Sequence, residues 1–130
     1  MRNIKYILIS ASQPEVGASR ATARRDRNLG YHYIVTPECV VRKPIDIRQV
    51  SNFIPGQTHV VNNLNKSSIG IHCNGLLTDP AIRAMLIDLL VELRFQFPEA
   101  KIMGVSEING HEIHPRDAMN ALRLELSNEP

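Results

Sequence analysis

Short β-rich runs punctuate the chain at Ile4 to Ile9, Tyr31 to Val35, Cys39 to Arg42, Ser67 to Cys73 and Lys101 to Val105. Their β-branched and aromatic residues fit a pleated, buried surface, and turn residues bound them. Pro37-Glu38 supplies turn chemistry between the second and third runs, which predicts a hairpin. Asn74-Gly75 closes the fourth. Two segments change period. From Asp79 to Phe97, apolar residues recur at Ile82, Met85, Leu86, Leu89, Leu90, Leu93 and Phe97. That 3–4 spacing predicts a helix with one buried face. Ala81, Ile87 and Val91 widen its stripe and predict cover on more than one side. Thr78 or Asp79 can cap it, Pro80 suits its first turn, and Pro98 stops it. A last helix is expected from Pro115 to about Leu126, with Ala118, Met119, Leu122 and Leu126 on one face. Strand, hairpin, strand, helix, strand, helix is an α/β order around a mixed sheet.

Two stretches break the pattern. Residues 13–28 are polar, with Arg20, Arg24, Arg25 and Arg27 clustered, and read as a surface loop or a helix of one to two turns. Residues 44–64 carry Pro, Gly and Asn and read as an irregular excursion, the kind of loop that often carries function. There is no internal repeat.

The 130 residues make one domain, 1–130, and a 43% hydrophobic, 22% charged composition suits a globular core. Fifteen basic and 13 acidic side chains leave a formal charge of +2, too small a bias for a dedicated nucleic-acid binder. Without Trp, and with three Tyr and three Phe, a base-stacking surface is not expected. No apolar run is long enough to cross a membrane, and the start has no secretory pattern, so a cytoplasmic location is the expectation. Cys39 and Cys73 read as small buried residues in a reducing compartment.

A set of strings in order resembles the type-2 N-acetylmuramoyl-L-alanine amidases, which include amidase-type phage lysozymes and peptidoglycan recognition proteins. They are a first strand followed by "SASQPE", "LGYHYIV" at Leu29 to Val35, and a loop histidine in "GQTHVV" at His59. "NKSSIGI" at Asn65 to Ile71 follows, then a Gly75-Leu76 exit, the long helix and "PEAKIMG" at Pro98 to Gly104. The tail "NGHEIHPRDAMNAL", Asn109 to Leu122, resembles a closing segment of some bacterial members. The resemblance spans nearly the whole chain and implies a sheet of about five strands flanked by helices.

It also implies a zinc centre in the members that are enzymes. One histidine ends the first strand, a second follows a glycine at the end of the late strand, and a third ligand sits near the final segment. Such a set leaves one position for a water that the ion activates. This chain departs from the pattern. Its first strand ends Ile9-Ser10-Ala11-Ser12, and Gly104 is followed by Val105-Ser106-Glu107. In the register set by Pro115, Leu122 stands at the third ligand position; a shifted register puts His114 there. The expectation is therefore no metal, and an amidase-like domain that binds a peptidoglycan fragment, a protein partner or an anionic ligand without cleaving it. The alternative is an active amidase with an atypical zinc site. A third reading is an interaction protein of phage or mobile-element origin.

Tyr31 occupies the position of the family tyrosine thought to help stabilise an oxyanion; its other reading is a strand residue packed on the sheet. His59 and His114 join it as ligand-groove candidates, although a solvated loop histidine is the simpler reading of His59. Alternation with Tyr31 and Tyr33 turns His32 to the opposite face, as a satisfied core histidine. His72 points opposite to Ile71 and Cys73, so His72 and Cys73 cannot grip one ion. Arg20, Arg24, Arg25 and Arg27 form either an anion site or a solvated loop.

Overall fold

A computed structural model describes residues 3–12, 31–36, 38, 41–43, 46–48, 65–75, 77–104 and 116–127. Within them the expected α/β order is realised. The elements are β1 (Tyr6–Ser12), β2 (Tyr33–Val35), β3 (Val41–Arg42), β4 (Ser68–Asn74), α1 (Pro80–Gln96), β5 (Lys101–Gly104) and α2 (Arg116–Ser127). The five strands lie in the order β3-β2-β4-β1-β5. β4, β1 and β5 run parallel, β2 is parallel to β4, and β3 returns antiparallel to β2 as the predicted hairpin partner.

β1 and β4 sit in the middle, and their composition explains why. Ile7, Leu8 and Ile9 have no exposed surface, and every residue of β4 is buried. A parallel strand covered on both faces needs a continuous apolar run rather than an alternating one. The edges are blunted by length and polarity: β3 has two residues, and Lys101 of β5 is exposed.

The register sorts the side chains by face. Ile7 pairs with Ile69, Ile9 with Ile71 and Ala11 with Cys73; these residues join the cluster that α1 and α2 cover. Leu8 pairs with Gly70 and Ser10 with His72, and they point to the opposite face. Leu8 and Ile34, on that second face, are fully buried too.

α1 starts where its sequence dictates. The Asp79 side chain accepts from the Ala81 N–H at 3.0 Å, and Pro80 occupies the first turn. It ends with the Phe97 N–H donating to the Leu93 carbonyl, just before Pro98. Ile82, Leu86, Leu89, Leu90 and Leu93 are buried on the expected face, with Met85 and Phe97 at its margin. Ile87 is buried as well, so the wide stripe is real, but Ala81 is exposed. α2 buries Met119, Leu122 and Leu126 against the same cluster. Arg83 and Glu125 pair at 2.5 Å between the helices, and Arg94 donates to the Leu126 carbonyl at 3.2 Å. Among the described residues no helix is long and apolar enough to cross a membrane.

Gly75 follows β4 where α1 presses closest. A Cβ there would lie 2.8 Å from Cγ1 of Ile82, a core residue with 1% exposure. Gly75→Ala is therefore expected to destabilise the domain by about 1–3 kcal/mol, because Ile82 has nowhere to retreat. Urea titration of the two proteins measures it. Cys73 is buried as expected, and burial pushes its thiol up to about 12. A raised thiol stabilises the fold fully below the ordinary thiol value of 9.0, and that contribution is lost as pH climbs from there towards 12. In the native domain at pH 8, mass mapping should find Cys73 unmodified by iodoacetamide, with alkylation only after unfolding.

Candidate functional site

β1 and β4 place two buried polar side chains side by side at the centre of the sheet. Ser10 and His72 are paired across the strands and share a face. Alternation alone produces this, because Ile9 and Ala11 on one strand, and Ile71 and Cys73 on the other, take the helix-covered face. Ser10 and His72 are exposed by only 5% and 7%. A buried hydroxyl and a buried imidazole need partners, and each finds the other: Oγ of Ser10 lies 2.7 Å from Nδ1 of His72.

Tyr31 completes the group. The Ser10 hydroxyl donates to its phenolic oxygen at 2.6 Å, and its ring lies 5.1 Å from the imidazole, tilted by 35°. With the Ser10 proton on Tyr31, the Ser10 oxygen accepts from a protonated Nδ1, which selects that tautomer of His72. Burial pushes the Tyr31 phenol up; the Ser10 bond opposes the rise, and proximity to Cys73 adds to it. The phenol is neutral at physiological pH, and Ser10 bridges Tyr31 and His72.

The sequence pattern had placed Tyr31 within a strand, on the face of Tyr33. The strand begins at Tyr33, and the chain bends at His32. Two bonds anchor that bend to β4. The His32 N–H donates to the Gly70 carbonyl at 3.0 Å, and the Gly70 N–H donates to Nδ1 of His32 at 3.1 Å. This satisfies the fully buried His32 as a core histidine. It also frees Tyr31 from strict alternation, so its hydroxyl reaches Ser10 on the face opposite Tyr33.

Asn74 ends β4, two residues beyond His72 and on the same face. Its Cα is in register with Ser12. It is 8% exposed, and its Nδ2 is buried with no hydrogen-bond partner among the described residues.

Of the candidates read from the sequence, Tyr31 is held in this group by its bond to Ser10. His59, His114, Arg20, Arg24, Arg25 and Arg27 lie outside the described residues. Ser10 and Asn74 were not singled out as site residues, and His72 was read only for the face it takes. Their shared signal is a polar side chain interrupting an apolar run in a strand that has to be buried on both faces.

The fold is shared with solved N-acetylmuramoyl-L-alanine amidases, as the sequence resemblance implied. Among solved structures, the chain superposes on the N-acetylmuramoyl-L-alanine amidase LysC from Clostridium intestinale URNW with a TM-score of 0.72. The match covers 98% of this chain and 88% of that one, at 14% sequence identity. The endolysine N-acetylmuramoyl-L-alanine amidase LysCS from the same organism superposes with a TM-score of 0.60, covering 98% and 85% of the two chains at 13% identity. No family model and no curated protein matches the sequence.

Proposed function

We propose that this chain is an amidase-fold domain that binds peptidoglycan fragments without hydrolysing them. The observation that carries the reading is Ser10. It stands at the end region of β1, where the amidase pattern calls for an imidazole, and its hydroxyl is held by Tyr31 and His72. A neutral alcohol engaged in two hydrogen bonds is a poor substitute for a histidine lone pair towards a divalent ion. Gly104, at the end of β5, is followed by Val105 rather than a second histidine. The donor set does not fit the zinc centre that the resemblance implies, so no step through a metal is derived. His114 would restore at most one of the three ligands of the amidase pattern, and one such ligand holds zinc weakly.

What remains is a fold that amidases use to face a peptide-bearing glycan, with a polar group of hydroxyl, phenol and amide on one face of its parallel strands. In open sheets of this kind, ligands bind outside the carboxyl ends of the strands. The cluster at Arg20, Arg24, Arg25 and Arg27 is a separate candidate for a protein partner or an anion.

Two measurements on the purified chain test the reading together. Calorimetric titration with muropeptides should give saturable heat. Incubation with murein sacculi, with or without added zinc, should release no soluble product. Chelator-sensitive digestion of sacculi would overturn the loss of catalysis, and absence of heat at millimolar muropeptide would overturn the binding.

A further inference from the structure

We infer that the side-chain amide of Asn74 is a recognition group for a neutral carbonyl, the amide carbonyl of a bound peptide. The inference rests on the peptidoglycan-binding reading and gives it an atom. A buried N–H donor without a partner is costly, and native proteins keep very few of them. Asn74 is one: its Nδ2 is buried with no hydrogen-bond partner among the described residues. The residue is held in place by the last pairing of β4 with β1, opposite Ser12, so it is not a loop side chain free to turn to solvent. It follows His72 on the same face, about 7 Å further along the strand. That puts the donor at the carboxyl end of the parallel strands, just beyond the Ser10–Tyr31–His72 group, the end of the sheet at which ligands of open α/β folds bind.

The chemistry of the donor selects its acceptor. Asn74 offers an uncharged N–H, and of the group that precedes it on that face Ser10 and Tyr31 are neutral hydroxyls while the His72 Nδ1 is engaged by Ser10. An uncharged donor beside uncharged hydroxyls compensates a carbonyl dipole, whereas a carboxylate entering a buried place needs a cation or several donors. A peptide amide is therefore the favoured occupant.

The test is a nitrogen–proton correlation spectrum of the full chain, with the Asn74 side-chain signals assigned by their loss in Asn74→Leu. Three probes are added separately: N-acetyl-L-alanine methylamide, N-acetylmuramoyl-L-alanyl-D-isoglutamine, and acetate. Both amides are expected to shift the Asn74 signals, and acetate to leave them in place. Asn74→Leu is expected to bind the muramyl dipeptide about tenfold more weakly, the loss of one buried hydrogen bond. It should also melt a few degrees higher when ligand-free, because the orphan donor is gone. Muramyl dipeptide binding that leaves the Asn74 signals still, or that is unchanged in Asn74→Leu, overturns the inference while the peptidoglycan reading stands. A shift with the plain diamide but no binding of the muramyl dipeptide upholds the inference and overturns the peptidoglycan reading. Silence of the signals towards both amides shows a donor that serves only water and overturns the inference. A shift with acetate alone overturns the choice of a neutral carbonyl.

Discussion

Leu90→Ala is expected to lower the unfolding free energy by about 2–5 kcal/mol. Leu90 has no exposed surface and belongs to the one cluster that joins α1 and α2 to the helix-covered face of the sheet. Removing its side chain forfeits the transfer free energy of the lost carbons and leaves a cavity. The walls cannot close it, because the neighbouring strands are fixed by pairing on both sides. The cost should therefore fall in the upper half of that range. A large fraction of a typical domain's whole stability is at stake, so the variant is expected to be partly unfolded at 37 °C. Chemical denaturation followed by circular dichroism gives the number; a loss below about 1 kcal/mol would mean that α1 is not clamped to the sheet as described.

Ser10→Ala is expected to cost about 2–4 kcal/mol, although it removes a single oxygen atom. That oxygen is the shared partner of Tyr31 and His72, and all three residues are buried. Deleting it takes one hydrogen bond from each of two buried polar groups, at about 1–2 kcal/mol apiece. Ser10→Thr keeps the hydroxyl and should recover part of the loss, whereas Ser10→Val, with the same shape as threonine, should not. The ordering Thr above Val in thermal melts is what separates a hydrogen-bond effect from a packing effect. Equal melting temperatures for Thr and Val would show that the group around Ser10 contributes shape alone.

Much of the architecture is legible in the sequence for a simple physical reason: α1 and the parallel strands are specified by side-chain burial, and burial leaves a period. The helix over Asp79 to Phe97 needs only its caps and its 3–4 stripe, and both are present. The site is harder to read because its geometry is set by backbone pairing. β1 looks complete at Ile9, where apolar residues stop, yet it continues to Ser12, since the backbone pairs with β4 whatever the side chains are. Ser10 therefore sits inside the sheet and not in a loop after it. Tyr31 looks like a strand residue because "YHYIV" alternates, but His32 spends its hydrogen bonds on Gly70 and bends the chain. Periodicity carries no record of that bond. The meeting of Ser10, Tyr31 and His72 depends on β4 inserting between β2 and β1, a non-sequential neighbour relation that no local pattern encodes.

That same strand order governs how the chain reaches its native state. β1 is central, yet its two partners come from residues 68–74 and 101–104. During synthesis its apolar stretch emerges before either partner strand and stays unpaired until they have followed. Closing such distant loops before any pairing is rewarded makes folding slow and leaves Ile7, Leu8 and Ile9 exposed to association with other nascent chains. The position of this strand makes its late pairing the step at which folding and misassociation compete.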